Sequence, residues 1–418
     1  MSVLRCTPAA ISLLAHRFHH RRTFVEARIK WVRDPYLDEV VQREKNLKPM
    51  LLLKNLILSA PSRALSISAT SAAKVALNLP TTVAKFLQKY NSVFQQFQPH
   101  PKAHPHVRLA PRALTLHKEE SAIHDSPDRR VEVVERLVKF LMLTRARKLP
   151  FSVIDRFKYD LGLPHDYLLT LLSDFPEYFE VCSLQDRLNE SEVLGLELVS
   201  WREDLAVSVM EKRAMSENWG YKKGLRLSFA MQLPKGFDLE KKVKNWVDEW
   251  QNLPYISPYE NAFHLSPSSD QAEKWTVAVL HELLHLLVSK KTERENVFYF
   301  GDYLGFGSRF KKALVHHPGI FYVSNKIRTQ TVVLREGYRK DFLVEKHPLM
   351  GMRHRYIYLM NKAKKWRKPH VVFGAGHKKK INSKSNQTHK SRKEQEEQSN
   401  GLSDSELEDA TNVEEMRL

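Results

Sequence analysis

Apolar residues recur with helical spacing in three stretches of the chain. The first reads MLLLKNLILSA from Met50, the second VERLVKFLMLT from Val134, and the third VAVLHELLHLL from Val277. Each has apolar residues at i, i+3 and i+4, which line one face of a buried helix. These residues are Leu53, Leu56 and Ile57, then Leu137, Phe140 and Leu141, and finally Leu280, Leu283 and Leu284. Each stretch is therefore predicted to be a helix that packs on a core.

The three stretches also continue in the same way. A shift of 84 residues superposes the first on the second without gaps, and a shift of 227 superposes it on the third. After each come a turn with Pro or Gly, a further apolar-periodic helix and, in the last two, paired β-like runs. The order of helix, helix, turn, helix and β-hairpin is that of a winged helix. We predict a mostly α protein with short β-hairpins (α+β) and three winged-helix-like repeats. The alternative is that three helical hairpins merely share a common apolar pattern.

The repeats set the predicted domain boundaries. A globular region over residues 31–358 contains repeat units at about 46–120, 130–202 and 272–345. Residues 203–271 are predicted to be a connecting segment.

Both ends of the chain differ in composition from this region. Residues 1–30 begin with an arginine-rich stretch that has no acidic residue before Glu26, which is typical of an organelle transit peptide. Few serines and threonines favour the mitochondrion over the chloroplast. Residues 359–418 carry first a basic and then an acidic block, which predicts a disordered tail.

The charge of the whole chain indicates the class of partner. The formal net charge is +19 and the pI is about 9.7, which favours a polyanion such as nucleic acid or an anionic membrane surface. The two cysteines, Cys6 and Cys182, exclude a disulfide framework or a cysteine-based zinc site. No apolar run reaches about 18 residues, so no transmembrane helix is predicted.

The third helix contains the pattern H-E-x-x-H of zinc proteases, as His281, Glu282 and His285. The two other helices have no such pair at the aligned positions, so the repeat does not require one. The residues that follow lack the G-x-x-H of the extended motif. Glu293, Glu295 or Glu336 could serve as the third ligand only if the fold happened to place it beside the histidines, because no motif spacing requires it. We therefore predict no metal site, no cofactor and no catalytic residue.

Six blocks of the sequence resemble the plant organelle RNA recognition domain. They read WVRDPYLDEVVQREKNLKPM, LPFSVIDRFKYDLGLPHDY, FPEYFEV, GYKKGLRLSFAMQLPKGF, WQNLPYISPY and LREGYRKDFLVEKHPLMGMRHRY, and they span about Trp31 to Tyr358. The resemblance implies an organellar RNA-binding protein that promotes group II intron splicing, and the form of the N-terminus implies a mitochondrial member of the what's-this-factor type. It implies intron-containing RNA and other splicing factors as partners, no membrane or small-molecule substrate, and no catalytic residues.

RNA binding needs cations for phosphates and flat groups for unstacked bases. Arginine and lysine cluster with aromatic residues at several places, and these clusters are the predicted RNA-binding residues. They are Lys222, Lys223, Arg226, Arg309, Lys311, Lys312, Arg335, Tyr338, Arg339, Lys340, Arg353, Arg355 and Tyr356. The third helix of the last repeat, SRFKKALVHH, is basic, whereas HDYLLTLLSDF of the middle repeat is not. We therefore expect the last repeat to contribute most of the RNA surface. Each cluster taken alone is equally compatible with a solvated basic face.

Three other functions remain open at this point. The first is a zinc metalloprotease that uses His281, Glu282 and His285. The second is a winged-helix DNA-binding factor, because a fold does not determine a function. The third is a component of the mitochondrial ribosome.

Overall fold

The computed structural model describes residues 32–185, 191–217, 221–233 and 239–365. The predicted transit peptide and the predicted tail from residue 366 onward lie outside the described residues. Within the described ranges, no helix combines the length and apolar character needed to cross a membrane.

One order of elements occurs three times along the chain: helix, strand, two helices, two strands. The elements α2 (Leu47–Ser59), β1 (Ala64–Ser66), α3 (Ile67–Ala72), α4 (Val83–Lys89), β2 (Phe94–Phe97) and β3 (His106–Leu109) form the N-terminal segment. The middle segment consists of α6 (Pro127–Met142), β4 (Lys148–Pro150), α7 (Phe151–Leu161), α8 (Tyr167–Thr170), β5 (Phe179–Gln185) and β6 (Glu192–Leu198). The C-terminal segment consists of α11 (Asp270–Leu286), β7 (Lys291–Glu293), α12 (Arg294–Leu304), α13 (Arg309–His316), β8 (Phe321–Ser324) and β9 (Thr331–Leu334).

The remaining elements flank or connect these segments. They are α1 (Pro35–Arg43), α5 (Pro111–Asp125), α9 (Val209–Glu217), α10 (Lys241–Gln251), a 3-10 turn (Arg335–Gly337), β10 (Tyr338–Arg339), β11 (Phe342–Leu343) and α14 (Pro348–Lys365). Because α14 extends to Lys365, the first residues of the predicted tail are helical.

Each segment has its own small antiparallel sheet, in which the last strand lies between the other two. The orders are β1-β3-β2, β4-β6-β5 and β7-β9-β8. The first strand of each sheet has only three residues and was not predicted from the sequence. The predicted α+β class with short hairpins is confirmed.

Left-handed backbone conformations recur at positions that the sequence alignment pairs. Directly before the first strand of each sheet stand Arg63, Arg147 and Lys290, with φ of 50°, 55° and 51°. Where the second helix of each segment gives way to the third stand Asn78, Gly162 and Gly305, with φ of 49°, 74° and 81°. Such conformations are uncommon outside glycine, so their recurrence shows a shared local backbone at two points.

The buried side chains form two main clusters. One is shared by the middle and C-terminal segments, where the ring of Phe300 stacks on Phe140 at 4.5 Å and lies 5.5 Å from Phe157. The other belongs to the N-terminal segment and is completed by Tyr356 and other residues of α14. The middle and C-terminal segments therefore share one core, while α14 returns to close the N-terminal core.

Candidate nucleic-acid interface

Helix α13 presents a basic face to solvent. Phe310 and Leu314 are buried beneath it, whereas Lys311 and Lys312 are exposed and Arg309 is half-buried. The close approach of α13 to α12 depends on Gly301, because a Cβ there would lie 2.8 Å from the ring of Phe310. The apolar side of α13 is thus fixed on the core, and its cations point away from it.

Half-buried aromatic rings lie next to these cations. Phe298 on α12 has the Arg294 guanidinium 5.3 Å and the Lys311 Nζ 5.5 Å from its ring centroid. The neighbouring Tyr299 has the guanidinium of Arg156, on α7, 4.3 Å from its ring. Contacts of this kind hold cations over aromatic faces. A surface with both groups can bind phosphates and stack bases.

We call this the basic-aromatic surface. Its residues are Arg156, Arg294, Phe298, Tyr299, Arg309, Lys311 and Lys312. The three cations of α13 were predicted from the sequence, whereas the other four residues were not. The i, i+4 spacing of Arg294 and Phe298 is the signal in the sequence for one of these pairs.

Four of the predicted RNA-binding residues are buried in the protein interior, which corrects their predicted exposure to RNA. Arg335 bonds to the Asp34 carboxylate at 2.8 Å and to the Pro318 carbonyl at 2.6 Å. The guanidinium of Arg353 stacks on the ring of Tyr159 at 3.7 Å.

The two buried tyrosines are also held by partners. Tyr338 donates to the Ser289 carbonyl, and Tyr356 donates to the Glu120 carboxylate at 3.0 Å. Both side chains, like those of Arg335 and Arg353, are at most 5% exposed. All four hold the structure together and leave no face for a base or a phosphate.

Six of the other predicted residues are exposed but differ in their surroundings. Lys222, Lys223 and Arg226 are exposed side chains of the segment 221–233, where Lys223 Nζ is 3.7 Å from a Glu260 carboxylate oxygen. Arg339 is the exposed last residue of β10, and Lys340 lies in the exposed turn between β10 and β11.

Arg355 has a different environment, because both of its terminal nitrogens bond to Glu119. Its charge is thus largely compensated. It lies on α14 beside the N-terminal core, so the structure does not gather all predicted residues into one site.

The corresponding helix of the middle segment has a different surface. Helix α8 has four residues and no lysine or arginine, and its Leu168 and Leu169 are exposed. Tyr167 is fully buried and donates to Asp155 at 3.2 Å. This face offers apolar surface where α13 offers cations.

The two histidines of the H-E-x-x-H motif contact a carboxylate from another part of the chain. Glu336, in the 3-10 turn after β9, has one carboxylate oxygen 3.0 Å from His281 Nε2 and 2.5 Å from His285 Nε2. The fold thus brings Glu336, one of the three candidate third ligands, against the histidine pair. Burial alone would raise the pKa of Glu336, but the hydrogen bonds from the two histidines outweigh it and lower that pKa. Burial also lowers the pKa of His285 to about 4, which keeps this imidazole neutral at pH 7.

Glu282 is not part of the group formed by the two histidines and Glu336, and its carboxylate is bonded to other residues. Its Oε1 accepts from Lys139 at 2.8 Å and from Tyr259 at 2.7 Å, and its Oε2 accepts from the Val209 amide at 2.8 Å. Its side chain is fully buried. A protease would need this carboxylate to activate water beside the metal, so the arrangement does not suit that reaction.

Comparison with known proteins adds a family and several relatives. Residues 32–365 match the family model described as the plant organelle RNA recognition domain. The chain is 37% identical over 343 residues to the mitochondrial Protein WHAT'S THIS FACTOR 9 of Arabidopsis thaliana, covering 81% of this chain and 87% of that protein. It is 29% identical over 340 residues to the chloroplastic Protein WHAT'S THIS FACTOR 1 of Zea mays, covering 79% and 66%. It is also 29% identical over 369 residues to Protein ROOT PRIMORDIUM DEFECTIVE 1 of Arabidopsis thaliana, covering 84% and 88%. No solved structure matches the chain significantly.

Proposed function

Because the chain belongs to the plant organelle RNA recognition domain family, we propose that it binds organellar RNA and promotes group II intron splicing in mitochondria. The family is the one that the sequence blocks resemble. The mitochondrial assignment rests on the relative whose name carries that location and on the arginine-rich N-terminus.

The observation that supports RNA binding most directly is the basic-aromatic surface. In a winged helix, the third helix usually contacts nucleic acid. In the C-terminal segment this helix is α13, which carries Arg309, Lys311 and Lys312, and Lys311 lies over the half-buried ring of Phe298. Single-stranded RNA needs this combination of cations and stacking faces.

The three segments are proposed to be repeats of one winged-helix-like module. Their common element order, their common strand order and the left-handed residues at aligned positions support this proposal. The modules then share RNA binding unequally, because α13 is basic while α8 exposes leucines.

The chain is proposed to act without catalysis of its own. Group II introns supply the splicing chemistry, and a bound protein can stabilise the folded intron. Other splicing factors are the proposed protein partners. The alternative of a zinc protease has no support in the geometry of Glu282, whose oxygens are taken by Lys139, Tyr259 and Val209.

The function is tested by sequencing RNA that is crosslinked to the full-length protein in purified mitochondria. We expect group II intron sequences to be enriched, and splicing of the same introns to fall when the protein is depleted. A protein carrying Ala at Arg309, Lys311 and Lys312 should crosslink less and restore splicing poorly.

A matched control removes two exposed lysines from α4, the third helix of the N-terminal segment, by Lys85→Ala with Lys89→Ala. This control should restore splicing better than the α13 variant. Enrichment of ribosomal RNA with unchanged intron splicing would instead identify a ribosomal component and contradict the proposal.

A further inference from the structure

Three potential metal ligands converge in the C-terminal segment, apart from the basic-aromatic surface. They are one nitrogen each of His281 and His285 and one oxygen of Glu336, all within 4.8 Å of one another. Of the residues that the structure describes, this is the one such group with three donor atoms so close together. We infer that these three side chains form a binding site for a divalent transition metal ion of the Zn²⁺ class.

Two of the three distances between the donor atoms suit such an ion with little movement, and the third, between the two imidazole nitrogens, is within 4.8 Å. Bonds of about 2.0–2.2 Å from a tetrahedral zinc ion place neighbouring donors about 3.4 Å apart. The two Nε2–oxygen distances are 3.0 Å to His281 and 2.5 Å to His285. Both need to lengthen by less than about 1 Å to admit the ion.

The ligands are held in place by the surrounding structure. His281 and His285 are one turn apart on α11, and their rings lie 4.5 Å from each other. Glu336 is fixed by its neighbour Arg335, whose side chain is bonded to Asp34 and to the Pro318 carbonyl. The three side chains are 1%, 7% and 7% exposed, so the site is shielded from competing water.

The donor types favour zinc over the hard cations. Two imidazoles and one carboxylate are a common zinc set, whereas Mg²⁺ and Ca²⁺ prefer oxygen ligands. One positive group, Arg213, stands 2.9 Å from the same Glu336 oxygen and competes with a metal. Its side chain is 47% exposed, so it can turn toward solvent. The nearby Lys290 is already paired with Glu345 at 2.7 Å.

The proposed ion would stabilise the structure rather than catalyse a reaction. It would tie α11 to the 3-10 turn that follows β9, and hence hold the end of the C-terminal sheet on its first helix. A zinc-bound water would have no base, because Glu282 points into the core and is bonded to Lys139, Tyr259 and Val209. The motif of a protease would thus serve as a structural clamp.

The test is zinc binding by the full-length protein. After incubation with Zn²⁺ and exhaustive dialysis at pH 7.5, we expect one zinc per chain above the content of a Glu336→Gln variant, measured by mass spectrometry of the metal. His285→Gln should lose the same ion, with affinity reduced by more than about 100-fold because a direct ligand is lost. Far-UV circular dichroism establishes that each variant is folded.

A matched control is Glu273→Gln. Glu273 also bonds to two histidines, His316 at 3.0 Å and His317 at 2.9 Å. The three donor atoms of this group do not all lie within 4.8 Å of one another. The control should keep its zinc, and it accounts for ions bound by the other histidines of the chain.

A second measurement is independent of the variants. Co²⁺ in the wild-type protein should give the intense visible absorption of a tetrahedral site with nitrogen and oxygen donors. The inference is overturned if the wild type retains no zinc and Co²⁺ gives only weak octahedral absorption, or if Glu336→Gln and His285→Gln bind zinc as tightly as the parent.

Discussion

The buried pair between Lys139 and Glu282 allows a direct test of the structural role of the H-E-x-x-H glutamate. Lys139 lies on α6 of the middle segment and Glu282 on α11 of the C-terminal segment, so their 2.8 Å contact joins two segments. Methionine at position 139 keeps most of the apolar length of the lysine side chain but removes its charge. The change Lys139→Met therefore isolates the loss of the ammonium group.

The expected loss of unfolding free energy in Lys139→Met follows from the partners that Glu282 keeps. Glu282 would keep its hydrogen bonds from Tyr259 and the Val209 amide, but its charge would be uncompensated in the core. The Val207 carbonyl would lose the bond from Lys139 at 3.0 Å. Removing one partner of a buried ion pair costs about 3–5 kcal/mol of unfolding free energy. Adding Glu282→Gln should recover at least about 1 kcal/mol, because no unpaired charge is then left.

The loss of stability in Lys139→Met should also depend on pH. Burial raises the pKa of Glu282, but the charge of Lys139 and the hydrogen bonds outweigh it, so this pKa is lowered in the wild type. Stability from this group is then present above the unfolded pKa and is lost as the pH falls. Without Lys139, the pKa of Glu282 in the folded protein should rise above its value in the unfolded chain. Protonation of Glu282 at low pH then stabilises the variant. The difference in the free energy of unfolding between Lys139→Met and the wild type should therefore become smaller as the pH is lowered from 7 to about 5.

The assay is urea unfolding of both proteins, followed by circular dichroism at several pH values. The control is Lys212→Met, which removes an exposed lysine of α9 and should change stability by less than about 0.5 kcal/mol. A Lys139→Met cost that is no larger than that of the control would refute the assignment of Glu282 as a buried structural charge. An unchanged deficit across the pH range would refute the account of its ionisation.

Three further predictions concern other parts of the molecule. Phe300→Ala should lower the free energy of unfolding by about 3–5 kcal/mol in urea titrations, because this fully buried ring joins the cores of two segments. Gly305→Ala should cost about 1–2 kcal/mol in the same assay, since its φ of 81° strains any side chain while the space around it is open enough for a methyl group. Burial raises the pKa of Glu120, but the charge of Lys54 and the hydrogen bonds from Lys54 and Tyr356 lower it to about 2. The free energy of unfolding of the wild type, measured by urea titration, should therefore fall as the pH is lowered from 4.5 to 2. The fall should be smaller in Glu120→Gln.

The helices and hairpins were predictable because their apolar positions carry a clear period. The stripe through Leu280, Leu283 and Leu284 is fully buried in α11, as its spacing indicates. The three-residue strands were missed because three residues are too short to show an alternating pattern. They form through pairing with distant strands, as Lys291 does with Val333.

Burial of charged and aromatic residues was the least predictable feature of the candidate site. Arg353 and Tyr356 stand in a basic stretch that is typical of an RNA surface, yet they contact Tyr159 and Glu120 across the chain. Local sequence does not contain these contacts. The contact between Glu336 and His281 was not predictable for the same reason, because only the fold brings the two residues together.

The salt dependence of RNA binding tests the central claim most directly. Affinity for a single-stranded intron fragment should be measured over a range of salt concentrations for the wild type, for the triple Ala variant of Arg309, Lys311 and Lys312, and for the α4 control. Each neutralised phosphate on single-stranded RNA contributes about −0.7 to the log–log slope. We predict that the triple variant binds more weakly and that its slope is flatter by about two units, with a smaller change in the control. Binding by the triple variant that equals the wild type at every salt concentration would contradict the assignment of the C-terminal segment as the main RNA surface.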